Sequence, residues 1–290
     1  MDCDASYDSI RSIAVLTCVF GCAGNGCIIW LLGFCIKKTA FSMYVLHLTM
    51  ADLGTVTFLA VSLILIAGDS FNRPSSVFLL NLFLATWMAG LCFLITISTE
   101  RCASVLFPHW YQRRRPKCLS TRLSFVVWML SGMFYGMEVS FYLVYGVPLE
   151  AVTLITSFVN FWILPSLVAI CAFVLLIGLC CRHGKHPLGS LNMLIILMLV
   201  FFLVLGGPCV VVYSLCPSCL WFALSDLFFA MNSSIRPIFY YFLGKQWKCR
   251  STEPLNLELQ RIFQDEGNAT EGGEPMRVNL AEETCSVQTA

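Results

Sequence analysis

Residues 188–215 read LGSLNMLIILMLVFFLVLGGPCVVVYSL, an apolar run broken by a few small or weakly polar side chains and by no charge. Roughly 20 such residues, wound as a helix, cross a ~30 Å hydrocarbon core, so Leu188–Leu215 reads as a membrane span. Working outward from it, further stretches qualify at Ile13–Ile36, Phe41–Gly68, Val77–Leu106, Leu119–Tyr145, Ala151–Cys181 and Leu220–Leu243. The chain is 58% hydrophobic and 12% charged, whereas a soluble domain carries about 25% charged residues. That deficit excludes the soluble globular class, while the net charge of +1 decides nothing. The expected fold is an all-α membrane protein, a seven-transmembrane helix bundle over residues 13–243.

Basic residues set the expected orientation. Lys37 and Lys38 follow the first span, and Arg101, Arg113, Arg114, Arg115, Lys117 and Arg122 bracket the loop after the third. Arg182 and Lys185 separate the fifth and sixth, and Lys245, Lys248 and Arg250 follow the seventh. Only Arg11 and Arg73 fall in the opposite segments. The positive-inside rule then places the N-terminus outside and the C-terminus in the cytosol of a multi-pass plasma membrane protein. Residues 1–12 form a short acidic extracellular N-terminus with no cleavable-signal pattern, so the first span is expected to be retained. Residues 244–250, basic around Trp247, read as a short amphipathic surface helix on the cytoplasmic leaflet, with Cys249 placed for lipidation. Residues 251–290 are rich in Glu, Gly, Ser and Thr and are expected to be a disordered cytoplasmic tail.

Most of the 16 cysteines lie inside the apolar runs, where a thiol is a small hydrophobe. Cys3, Cys216 and Cys219 are the ones expected on the oxidising side, and either a local bridge within Cys216-Pro-Ser-Cys219 or one reaching Cys3 is open. No Ser/His or His/Glu spacing of a catalytic site occurs in the spans, so no enzyme, metal or cofactor is implied, and nothing points to nucleic acid.

The polar and helix-breaking residues of the spans form an ordered pattern: Gly24-Asn25, Ala51-Asp52, Ile97-Ser-Thr-Glu-Arg-Cys102, Trp128, Pro165, Pro208, and Pro237-Ile-Phe-Tyr240. With Val105–Tyr111, Arg114-Arg-Pro116 and Asn232-Ser-Ser, the chain resembles rhodopsin-like G-protein-coupled receptors and, among them, the Mas-related subgroup, over residues 10 to 250. The resemblance implies that Glu100-Arg101 meets a heterotrimeric G protein at the inner face. It also implies that Leu91, Pro165 and Phe202 form a packed switch between pocket and cytoplasm, and that Pro208 kinks the sixth helix. Pro237 and Tyr240 would take part in activation. Gly206 stands where most family members place a tryptophan, Phe173 replaces a tyrosine that supports the active state, and Leu188 leaves Arg101 without an acidic partner on the sixth helix.

Charges inside the spans are functional candidates because burying them is costly. Asp52 and Arg236 define a lower layer with Asn232 and Ser233. Related receptors hold sodium beside this aspartate, and the resemblance suggests that the Arg236 guanidinium takes the ion's place. Glu138 and Asp226 define an upper layer, where no basic residue is expected at the same depth. With the aromatic residues Phe83, Trp87, Tyr142, Trp162 and Trp221 they suggest a site for an extracellular cationic peptide or amine. Two alternatives remain open: a receptor-like partner that modulates other membrane receptors without signalling, and a small transporter.

Overall fold

In the computed structural model, the described residues are 2–35, 39–68, 73–107, 111, 113, 115–116, 118–145, 158–182, 190–215 and 219–246. They contain seven α-helices and no strand. α1 runs Asp2–Trp30 and continues through a π-helical turn, Leu31–Cys35; α2 is Ala40–Ala67; α3 is Arg73–Leu106; α4 is Leu119–Tyr145. A second π turn, Val159–Ile163, leads into α5, Leu164–Arg182; α6 is Ser190–Leu215 and α7 is Cys219–Gln246. Within hydrocarbon every backbone N–H and C=O must bond internally, and helices do this within a single segment.

Five of these segments are long and apolar enough to cross a membrane: Tyr7–Cys35, Ala40–Ala67, Phe78–Leu106, Leu119–Val144 and Val159–Gly178. A shorter apolar helix covers Asn192–Leu205. Asn192–Leu205 is the part of α6, Ser190–Leu215, whose side chains are described, and α7 carries Asp226 and Arg236 within its length, so neither helix counts against the seven expected crossings.

The helices pack as a closed ring. α1 lies against α2 and α7, and α2 against α3. α3 also touches α4 and α5, and α6 joins α5 to α7. The core is apolar, as in a soluble protein, but so is the exterior, and charges lie inside. Phe20, Phe34, Phe125, Val144 and Phe173 point outward, while Asp52, Arg101, Glu138 and Arg236 are buried. An apolar exterior of this extent needs lipid around it.

Local chemistry explains the helix ends and close approaches. Thr39 caps α2, accepting from the Ser42 amide at 3.1 Å while Ser42 Oγ accepts from the Thr39 amide at 2.8 Å, which satisfies two otherwise unpaired donors. Where α1 crosses α7, a Cβ on Gly21 would collide with Ser234, whose hydroxyl donates to the Thr17 carbonyl at 3.0 Å. Between α2 and α3, a Cβ on Gly54 would lie 2.6 Å from Thr86 Cγ2. Small residues let apolar helices approach where lipid offers no hydrophobic driving force between them.

Three sequence expectations change here. α1 starts at Asp2 rather than near residue 13, so the described part of the N-terminal segment is helix. Arg11, expected outside the membrane, is buried and donates from Nη2 to the Leu63 carbonyl at 2.8 Å, near the C-terminal end of α2, where a cation is favoured. α7 extends to Gln246, so residues 244–246 of the expected surface helix continue α7; residues 247–250, including Cys249, and the 251–290 tail lie outside the described residues.

Candidate functional site

The candidate residues fall at three depths. At the C-terminal end of α3, Glu100 receives Arg115 from the loop between α3 and α4: Nη2 donates to Oε1 at 2.9 Å and to Oε2 at 3.3 Å, and Nε donates to Oε1 at 3.2 Å. Tyr44 on α2 donates its hydroxyl to the same Oε1 at 3.2 Å, and Arg115 also donates to Ser120 Oγ at 2.8 Å. Arg101 is 7% exposed, with its guanidinium carbon 5.0 Å from the centre of the Phe41 ring. Partial burial tends to lower the Arg115 pKa, but Glu100 beside it more than offsets this and holds it above the ordinary arginine value. Burial and the neighbouring Glu100 likewise raise the Tyr111 phenol.

In the middle layer Arg236 on α7 is hydrogen-bonded and ion-paired to Asp52 Oδ1 on α2, both side chains being 3% exposed. Ser233 lies beside the same carboxylate, and Tyr240, itself buried, adjoins Asp52, Arg236 and Thr49. Asn232 is buried on the same stretch of α7. Gly90 on α3 faces the pair, and a Cβ there would meet Asp52 Oδ1 only at ordinary contact distance, 4.0 Å. One turn before Pro237, the Ser233 carbonyl has lost its usual helical donor because proline has no N–H. Asn25 replaces it, donating from Nδ2 to the Ser233 carbonyl at 3.1 Å and to the Gly21 carbonyl at 2.9 Å. Asn25 was visible in the sequence as a motif residue; its function as the stand-in donor depends on where α1 meets α7.

The third layer is built on aromatic packing. Phe83 and Trp87 are buried and both meet Phe229 edge-on, at 5.5 and 4.7 Å between centroids. Phe161 adjoins Phe229 at 6.2 Å, and Phe202 lies 6.1 Å from Trp87. Leu91 and Phe202 are buried in the core while Pro165 is partly buried, so Phe202 connects this cluster to the central core. Trp162 and Trp221 are 44% and 41% exposed and Tyr142 is partly exposed, so these three do not share the burial of Phe83 and Trp87. Phe173 is 64% exposed on α5, whereas Tyr240 is buried. Gly206 and Pro208 lie on α6, their side-chain surroundings outside the described residues, as are those of Cys3 and Cys219; Cys216 is also outside them.

Glu138 is 2% exposed, on a face of α4 that also buries Ser124, Ser131 and Tyr135. The Tyr135 hydroxyl is bonded by Asn160 from the π turn before α5. This polar stripe, at helical spacing, was legible in the sequence but had not been singled out. Asp226 is partly buried, and Arg11 is near enough for their charges to interact. The expectation that no basic residue shares the depth of Asp226 is therefore corrected. Arg11 belongs to the inward face of an α1 that begins earlier than the hydropathy alone suggested. Arg115 was legible only as one of the basic loop residues, Tyr44 and Phe41 on α2 carried no signal, and nothing in the sequence pointed to the partners of the three. Among the described residues no three His, Cys, Asp or Glu side chains group as metal ligands.

An outward apolar surface, inward charges and long apolar helices define a multi-pass helical membrane protein. No family model matches the chain. It is 35% identical to Mas-related G-protein coupled receptor member X2 of Pan troglodytes, covering 84% of this chain and 80% of that receptor. It is 34% identical to human member X1 over 92% of this chain and 88% of the relative, and 33% identical to human member F over 90% and 80%. The chain belongs to the Mas-related G-protein coupled receptor family.

Proposed function

We propose that this receptor crosses the plasma membrane seven times with its N-terminus outside, binds an extracellular cationic peptide or amine, and activates a heterotrimeric G protein through the inner end of α3. The observation that carries the coupling half is the placement of Glu100-Arg101 at the last turns of α3, beside a loop whose Arg115 closes on Glu100. A buried arginine at a helix end facing a basic loop is costly to maintain unless a function requires it. All seven helices serve as spans in this reading, since α6 and α7 pack into the same ring as the five apolar segments.

The ligand half rests on Glu138. It is an acid in the bundle interior, on a face of α4 that also buries Tyr135. A desolvated carboxylate attracts a cation far more strongly than one in water. Glu138 is buried where Asp226 is only partly so, and this makes Glu138 the principal anchor and Asp226, beside Arg11, an auxiliary one. The partly exposed Tyr142, Trp162 and Trp221 supply an aromatic entrance suited to amphipathic ligands.

The test is G-protein dissociation in living cells for each transducer class, with a panel of basic peptides and amines, and Arg101→Ala at equal surface expression as the control. A response abolished by Arg101→Ala supports the reading. Silence across all transducers, with normal surface expression, favours the receptor-like partner that does not signal.

A further inference from the structure

Among the described residues of the loop between α3 and α4, Arg115 ties the loop to the bundle. Arg115 places a donor on each oxygen of Glu100 and another on Ser120, at the start of α4, while Tyr44 reaches the same carboxylate from α2. Three helices thus meet at Glu100. The two side chains of the ion pair are only 13% and 11% exposed. Exposed ion pairs contribute little, but a shielded, two-pronged arginine–carboxylate pair combines charge with fixed geometry.

The same guanidinium lies 5.7 Å from the centre of the Tyr111 ring, and Tyr111 is 7% exposed. Arg101, equally buried, is close enough to Tyr111, Glu100 and Arg115 to interact electrostatically with all three. Two arginines at this range repel, and Glu100 is the charge that lets them coexist. To touch another protein, Arg101 has to be uncovered, and the segment that carries Tyr111 and Arg115 is held in place by the pair with Glu100.

We propose that Arg115 is a latch: through Glu100 it holds the α3–α4 loop against the bundle and keeps Arg101 covered, so that opening of the Glu100–Arg115 pair is a step in transducer engagement. This rests on the reading that Arg101 meets the G protein. Arg115 is a positioning residue in this scheme, acting through Glu100.

The experiment compares the full-length receptor with Arg115→Glu, Arg115→Lys, Glu100→Arg and the charge-exchanged double variant Glu100→Arg/Arg115→Glu. Two quantities are read: trypsin cleavage within residues 107–118 in inside-out membrane vesicles, and agonist-free G-protein dissociation at matched surface expression. Arg115→Glu is expected to speed loop cleavage by on the order of tenfold, the scale of one lost charge-assisted bond, and to raise agonist-free signalling. The exchanged pair should bring both back toward wild type, and Arg115→Lys should fall between. Cleavage unchanged in Arg115→Glu, or a double variant no better than the singles, overturns the latch. Faster cleavage with unaltered agonist-free signalling, in a receptor that still responds to agonist, reduces Arg115 to a structural tie and overturns its role in engagement. Faster cleavage with every transducer silent under all conditions overturns the coupling reading itself, and the engagement step with it.

Discussion

Arg236 on α7 and Asp52 on α2 form a hydrogen-bonded ion pair in the middle of the bundle, one residue before the proline that interrupts the α7 backbone ladder. Neither charge has access to water, so each depends on the other. Replacing both with neutral groups of similar size costs little, whereas removing one leaves an uncompensated charge, at ~3–5 kcal/mol. Asp52→Asn and Arg236→Asn are each expected to lower surface expression and thermal stability in detergent, and the double variant to recover part of the loss. Simple addition of the two losses would rule out the pairing as a stability unit.

The Asn25 amide occupies the bond that Pro237 cannot make. Asn25→Ala leaves the buried Ser233 carbonyl unpaired, at ~1–3 kcal/mol. In a Pro237→Ala background, residue 237 regains an N–H and the Asn25→Ala loss should shrink. Melting temperatures of the four proteins in one detergent test this; equal losses in both backgrounds would show that Asn25 acts elsewhere.

Gly21 marks a close approach of α1 to α7, against Ser234. Gly21→Ala is expected to destabilise by ~1–3 kcal/mol through overpacking. Removing the Ser234 hydroxyl relieves the nearest clash, so Gly21→Ala should be tolerated better in a Ser234→Ala background. Gly26, whose added Cβ meets nothing within 4 Å, serves as the control, and Gly26→Ala should leave the melting temperature almost unchanged.

If Glu138 anchors cationic ligands, Glu138→Gln should lower agonist potency by more than about tenfold, the scale of a desolvated charge pair. Asp226→Asn should have the smaller effect, because Arg11 already lies beside that carboxylate. Arg11→Gln should make the Asp226→Asn effect larger. Dose–response curves at matched surface expression decide this, and unchanged potency in Glu138→Gln would retire it as an anchor.

The sequence by itself determined that this chain lives in a membrane as a bundle of helices, because apolar length and missing charge are properties of composition that need no partner. The ordered pattern from Asn25 to Tyr240 carried the family resemblance, which the 32–35% identities to Mas-related receptors bear out. It also identified Asp52, Glu138, Asp226 and Arg236 as anomalies, since a charge inside an apolar run is visible without coordinates. Which of those charges meet one another was decided by the tertiary structure. Arg11 was read as exterior because hydropathy marks where an apolar run begins, while a helix can extend beyond it and fold its arginine inward to a carbonyl on α2. Arg115 was one of several loop arginines, and only the approach of that loop to α3 selected it as the partner of Glu100. Contacts between residues far apart in the chain depend on how helices cross, and crossing is fixed by small-residue packing such as Gly21 against Ser234, which no single span encodes.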